Sequence, residues 1–218
     1  DELLKLYVRF REEEERDPAL REEARGWVMK LEEGNEEALS LWRWFREESI
    51  KEYVRIYDVL GVRFDEYTGE SFYTKMIDEV VNRLLEMGLA VRSEGALVVM
   101  LDAYDMPPCL LRRSDGASIY GSRDLCAALA RYERSRFDRM LYVTDARQSL
   151  HFRQFFKVLD LMGNPWAARL EHVPYGLLSF KGEAMATRSG NIVLLKDVLG
   201  RAVDLTRRLS FSSTSSLY

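Results

Sequence analysis

Apolar residues recur every three or four positions through the first sixty residues, and strand-like runs enter only beyond residue 88. Leu41, Trp42, Phe45, Tyr53, Ile56, Tyr57 and Leu60 mark one face of a long helix. Its start is signalled by Asn35, a capping residue, followed by Glu36 and Glu37 in the electropositive first turn. An earlier start is signalled by Asp17-Pro18. The cluster Trp42, Trp44 and Phe45 is expected in a core, because large aromatics dominate buried area. Gly61 closes this helical part, a further helix is expected over 71–87, and Gly88 stands where a C-terminal cap glycine belongs. Residues 89–92 and 96–101, joined by Ser93-Glu94-Gly95, form a hairpin pattern.

Beyond Pro108 the pattern alternates. Strands are expected at 109–112, 139–144 and 170–174, and helices at 123–133, 152–162 and 193–209. The run at 139–144 lacks polar alternation, which predicts a strand covered on both faces. The fold class is therefore α/β, half of a doubly wound parallel sheet preceded by helices and a small α+β segment. The expected divisions are 1–105, 106–209 and a loose serine-rich tail at 210–218.

Composition narrows the class. At 47% apolar and 31% charged, the 218 residues can bury a core. No run approaches the roughly 18 apolar residues of a membrane helix, and the start carries no signal-peptide pattern. Two cysteines, Cys109 and Cys126, provide neither a disulfide framework nor a zinc spacing, so a reducing, cytoplasmic setting is expected. Residues 1–60 hold 17 acidic and 11 basic side chains, against 19 and 21 in the remainder, so the chain's net charge of −4 resides in its helical part.

Ligands of open α/β sheets sit beyond the carboxyl ends of the strands. Two polar stretches fall there, 113–124 and 144–151. Tyr120 and Asp124 are four apart and share a helix face; Gln148 follows the next strand. A hydroxyl, a carboxylate and an amide converging there suit a planar cation, since a carboxylate takes a guanidinium through paired charge-assisted bonds. Residue type alone equally allows Asp124 to pair with Arg112, Arg113 or Arg123, or simply to open a helix. His151 and His172 have no partners at metal-ligand spacing, and no phosphate-loop, nucleophile-elbow or zinc-protease motif occurs.

Several ordered phrases carry a resemblance. They are Ser114-Asp115-Gly116, Tyr120-Gly121-Ser122-Arg123-Asp124, Gln148-Ser149-Leu150-His151-Phe152, His172-Val173-Pro174-Tyr175-Gly176 and Met185-Ala186-Thr187-Arg188-Ser189-Gly190-Asn191. Together with Leu60-Gly61-Val62 and Phe64-Asp65, they resemble arginyl-tRNA synthetase over about residues 3–209. The resemblance implies the second half of a class I Rossmann-type catalytic domain that joins arginine to tRNA(Arg) with ATP and magnesium. It places Tyr120, Asp124 and Gln148 on arginine. It places His151, His172, Val173, Gly176, Met185, Thr187 and Arg188 on the ATP side, with Arg188 as the catalytic cation.

Some positions depart from the family phrases. Ala184 and Ser189 stand at its loop lysines and Ala186 at its serine; Asp145 replaces a glycine and Arg147 a glutamate. The His-x-Gly-His phrase is absent from these residues. The chain alone is accordingly expected to be inactive, with the rest of a synthetase or a partner covering the half sheet. The alternative is a truncated, non-catalytic paralogue that binds arginine or a partner protein.

Overall fold

The structure is a computed structural model that describes residues 2–114, 119–176, 179–180, 183–184 and 194–214. Its contacts form two units, one of residues 1–65 with 178–218 and one of 66–177.

The first unit is helical. α1 (Glu2–Arg16), α2 (Ala19–Glu32) and α3 (Glu36–Leu60) follow one another through short links, and α7 (Leu195–Thr214) ends the described chain. The capping signals at Asn35 and Gly61 hold. Asn35 Oδ1 accepts from the backbone N–H groups of Glu37 and Ala38 at 3.1 Å, and Gly61 terminates α3 at φ 67°. The buried Glu14 carboxylate is satisfied by Arg11 and Arg21, both at 2.6 Å. Two expectations fail in this unit. Trp44 and Phe45 are 51% and 41% exposed, because so few helices leave a wide aromatic stripe largely uncovered. The last helix also continues through residues 210–214, where a loose tail was expected, since serine lowers helix propensity by only a few tenths of a kcal/mol per residue.

The second unit carries the large core. α4 (Ile77–Glu86) turns Ile77, Val80, Val81 and Leu84 inward, the spacing of a single helix face. β1 (Ala90–Ser93) and β2 (Ala96–Val99) pair antiparallel with Ser93 opposite Ala96. Glu94 and Gly95, at φ 50° and 80°, make the tight turn between them. The hairpin and α4, expected to belong with the first helices, share their core with the segment after Pro108.

β3 (Cys109–Arg112) departs from expectation. It joins the hairpin antiparallel, in the order β1-β2-β3, instead of opening the parallel sheet. Its burial alternates, as suits a strand with one covered face. The parallel pair is β4 (Met140–Asp145) with β5 (Leu170–Tyr175), in register from Met140 opposite Leu170 to Asp145 opposite Tyr175. α5 (Tyr120–Ser135) precedes β4, and α6 (Ser149–Leu161) makes the crossover to β5. β6 (Ser179–Phe180) and β7 (Glu183–Ala184) form a short antiparallel pair in the first unit.

One face of the β4–β5 pair rests on α6. Tyr142 is buried against Phe152, Phe155 and Phe156, with ring centroids 5.1–5.5 Å away. The other face is open: Leu141 and Val143 are 52% and 64% exposed. The strand expected to be covered on both faces is thus covered on one.

α5 meets β3 at Gly121. A Cβ there would stand 2.5 Å from the Leu110 carbonyl oxygen, a backbone atom that cannot swing aside. Gly121→Ala is expected to cost about 1–3 kcal/mol by overpacking. Urea unfolding measures it, and a variant as stable as the parent would show that α5 is not seated on β3 in this way.

Candidate functional site

A cleft of about 700 Å³ opens between the amino-terminal ends of α5 and α6, with residues 108–110 as its floor. Tyr120, Asp124, Gln148 and His151 all line it. The sequence folds this way for local reasons. Ile119 is extended, so α5 begins at Tyr120, and the buried Ser122 hydroxyl donates to the Ile119 carbonyl at 2.9 Å. Tyr120 and Asp124 then occupy neighbouring turns of one face. Strand β4 ends at Asp145, a single 3₁₀ turn over Ala146–Gln148 follows, and α6 starts with Gln148 at its cap position. Gln154, one turn along from His151, donates to the Pro107 and Pro108 carbonyls at 2.8 and 3.1 Å and fixes α6 against the floor.

Asp124 and His151 meet directly, with Oδ2 2.6 Å from Nε2 and both side chains partly exposed. Among the described residues this is the only hydrogen bond or ion pair of the Asp124 carboxylate. Arg112 pairs with Asp78, and Arg123 with Glu70 at 2.8 Å, so neither neutralises it. Tyr120 is 67% exposed, Gln148 is exposed, and neither makes a side-chain hydrogen bond among the described residues.

Asp145 and Arg147, the paired departures noted in the sequence, are one device. The Asp145 carboxylate accepts from the Arg147 backbone N–H at 2.8 Å and from Nε and Nη2 at 3.0 Å each. Those side-chain bonds, followed by the backbone bond, hold the Asp145 carboxyl below the ordinary carboxylate range. The guanidinium of Arg147, which also lines the cleft, is therefore bound to the Asp145 carboxylate and not to Asp124.

The two histidines separate. His172, on β5, stacks on Phe152 at 4.4 Å and hydrogen-bonds Thr144 through Nε2 at 2.9 Å; neither it nor Val173 lines the cleft. Gly176 follows β5 and is exposed. Met185, Thr187 and Arg188 lie outside the described residues. Glu70 and Gln154 were missed by the sequence reading. Gln154 was findable from its spacing to His151, whereas Glu70 reaches the cleft from 54 residues before Asp124 and leaves no local signal.

Burial pushes the Cys109 and Cys126 thiols up to about 12, so both are protonated near neutrality and unreactive. Burial likewise pushes the Tyr142 phenol up to about 12, against the pull of the nearby Arg131 guanidinium. Among the described residues, no three His, Cys, Asp or Glu side chains cluster to hold a metal ion, and no helix is long and apolar enough to cross a membrane. The lining of the cleft brings together a carboxylate, a phenol and a primary amide.

Comparison with known proteins adds relatives in sequence and in structure. The family model described as tRNA synthetases class I (R), catalytic domain, matches residues 1–213. Arginine–tRNA ligase 2 of Bacillus anthracis is 51% identical over 207 residues, covering 95% of this chain and 37% of the relative. The arginine–tRNA ligase of Clostridium perfringens is 49% identical over the same length and shares. The chain thus spans little more than a third of these curated relatives. Among solved structures, the arginyl-tRNA synthetase of Plasmodium falciparum aligns with TM-score 0.75 at 24% identity, covering 91% of this chain and 33% of that one. The Thermus thermophilus arginyl-tRNA synthetase aligns with TM-score 0.69 at 20% identity, covering 94% and 40%. At such identities the structures establish the shared fold.

Proposed function

We propose, for a chain that belongs to the class I arginyl-tRNA synthetase family through its catalytic domain, that the cleft binds arginine, with Asp124 taking the guanidinium and Tyr120 and Gln148 flanking it. The observation that carries this reading is the convergence of those side chains on one cleft whose carboxylate pairs with no lysine or arginine among the described residues. The 218 residues are then the arginine-recognising portion of an arginine–tRNA ligase. In the parent reaction the arginine carboxylate attacks the α-phosphorus of ATP and expels pyrophosphate. A ribose hydroxyl at the tRNA 3′ end then attacks the arginyl carbonyl and expels AMP. Neither step needs a side-chain nucleophile, which agrees with two inert thiols; positioning and charge stabilisation supply the rate.

ATP with magnesium, tRNA(Arg) and a cytoplasmic setting belong to this proposal through the family. So do His172, Val173 and Gly176 as the wall nearest ATP, and Met185, Thr187 and Arg188 as its phosphate loop. The open face at Leu141 and Val143 is where the remainder of a synthetase, or a partner, is proposed to sit.

The expected result is selectivity. A lysine ammonium cannot form the planar double bond of a guanidinium, so arginine is expected to bind the 218-residue chain at least about tenfold more tightly than lysine. Isothermal titration of both amino acids measures this. Equal affinities, or no heat with arginine, would contradict the assignment.

A further inference from the structure

The contact between Asp124 and His151 joins two helices whose residues are 27 apart in sequence. An ionised carboxylate only accepts hydrogen bonds, so the proton lies on Nε2 and His151 donates to Oδ2. The imidazole is held from behind. Its ring packs on Phe155 at 5.3 Å and on Phe152 at 5.4 Å, and both phenyl groups are buried in the core. Asp124, in contrast, projects from the first turns of α5 with its carboxylate a third exposed, and the rotation of that group about its last bond is intrinsically broad. A fixed donor on one oxygen sets the plane of the carboxylate. It leaves the other oxygen, and one lone pair of the first, to face the cleft.

We propose that His151 is a positioning residue on the arginine side of the site, holding the Asp124 carboxylate in the plane a guanidinium fork requires, and not a contact to ATP. The proposal rests on the arginine reading of the cleft given above. A planar bidentate pair is sensitive to the tilt of either partner, so the loss of this donor falls on guanidinium recognition in particular.

The test uses the whole 218-residue chain, with arginine, citrulline and ATP as separate probes. Citrulline keeps the shape of arginine but carries a neutral urea. His151→Leu is expected to weaken arginine by about 10- to 100-fold, the range of a lost hydrogen bond to a charged group, and to lower the preference for arginine over citrulline by a similar factor. His151→Gln, whose amide nitrogen reaches the place of Nε2, is expected to recover most of that loss. In an Asp124→Asn background, adding His151→Leu is expected to change arginine affinity by less than about twofold, since coupled residues are not additive. Should leucine unfold the chain, His151→Asn has an amide too short to reach Oδ2 and carries the same expectation. Loss of ATP affinity with arginine unchanged, or losses that simply add in the double variant, would overturn the proposal. Failure of the unsubstituted chain to bind arginine would remove the arginine reading and this inference together. Arginine binding that ignores every change at residue 151 would remove this inference alone.

Discussion

Asp124→Asn is expected to weaken arginine binding to the 218-residue chain by about 2–3 kcal/mol, roughly 30- to 150-fold. The change preserves shape and removes charge, leaving a guanidinium opposite a neutral amide. Breaking a desolvated charge pair costs about 2–5 kcal/mol, and the lower half of that range applies because the carboxylate is one third exposed in the free chain. The other carboxylates at the cleft already have a cation each. Glu70 is engaged by Arg123, and Asp145, beside the cleft, is engaged by Arg147. Calorimetry with the variant measures the effect, and unchanged affinity would remove Asp124 from the site.

Phe155→Ala is expected to lower the stability of the 66–177 unit by about 3–5 kcal/mol. Phe155 is fully buried, and its ring meets Phe156 at 4.6 Å, Phe152 and His151 at 5.3 Å, and Tyr142 at 5.5 Å. Truncation removes a large apolar area and leaves a cavity between α6 and β4, where a sheet pair covered on only one face has little to collapse inward. Such a loss is a large share of the roughly 5–15 kcal/mol that holds an ordinary domain folded. Denaturant unfolding should show an earlier midpoint with an unchanged slope. A loss below about 1 kcal/mol would mean that the aromatic cluster is not the support it is taken to be.

Much of the local structure was legible in the chain. Asn35, Gly61 and the Glu94-Gly95 turn act at the positions their chemistry suggests, because caps and tight turns are decided by a few neighbouring residues. Pairing was not legible in the same way. The four residues Cys109–Arg112 read as a strand, but nothing within them says whether they join a hairpin or a parallel sheet. That choice depends on α4 and α5, which share their core. Aromatic content misled at Trp44 and Phe45, where a helical stripe exists but too little neighbouring surface covers it.

The site divides similarly. Tyr120 and Asp124 could be placed on one face from spacing alone, and Gln148 near them from its place after the next strand; the ordered phrases then implied arginine as the ligand. Composition could not tell whether an arginine neutralises Asp124. The structure answers for Arg112 and Arg123 by engaging them with Asp78 and Glu70, partners distant in sequence. The bond from His151 to Asp124 was also out of reach, because the family phrase suggested the nucleotide side and only the packing of α6 on Tyr142 brings that imidazole to α5.

The central claim is that this cleft seats a guanidinium on Asp124. A crystal structure of the 218-residue chain soaked with arginine tests it most directly. The account predicts density for a planar guanidinium within hydrogen-bond distance of the Asp124 carboxylate, between Tyr120 and Gln148, with His151 still bonded to Oδ2. Arginine seated elsewhere on the chain, or lying in the cleft with its guanidinium turned away from Asp124, would contradict it.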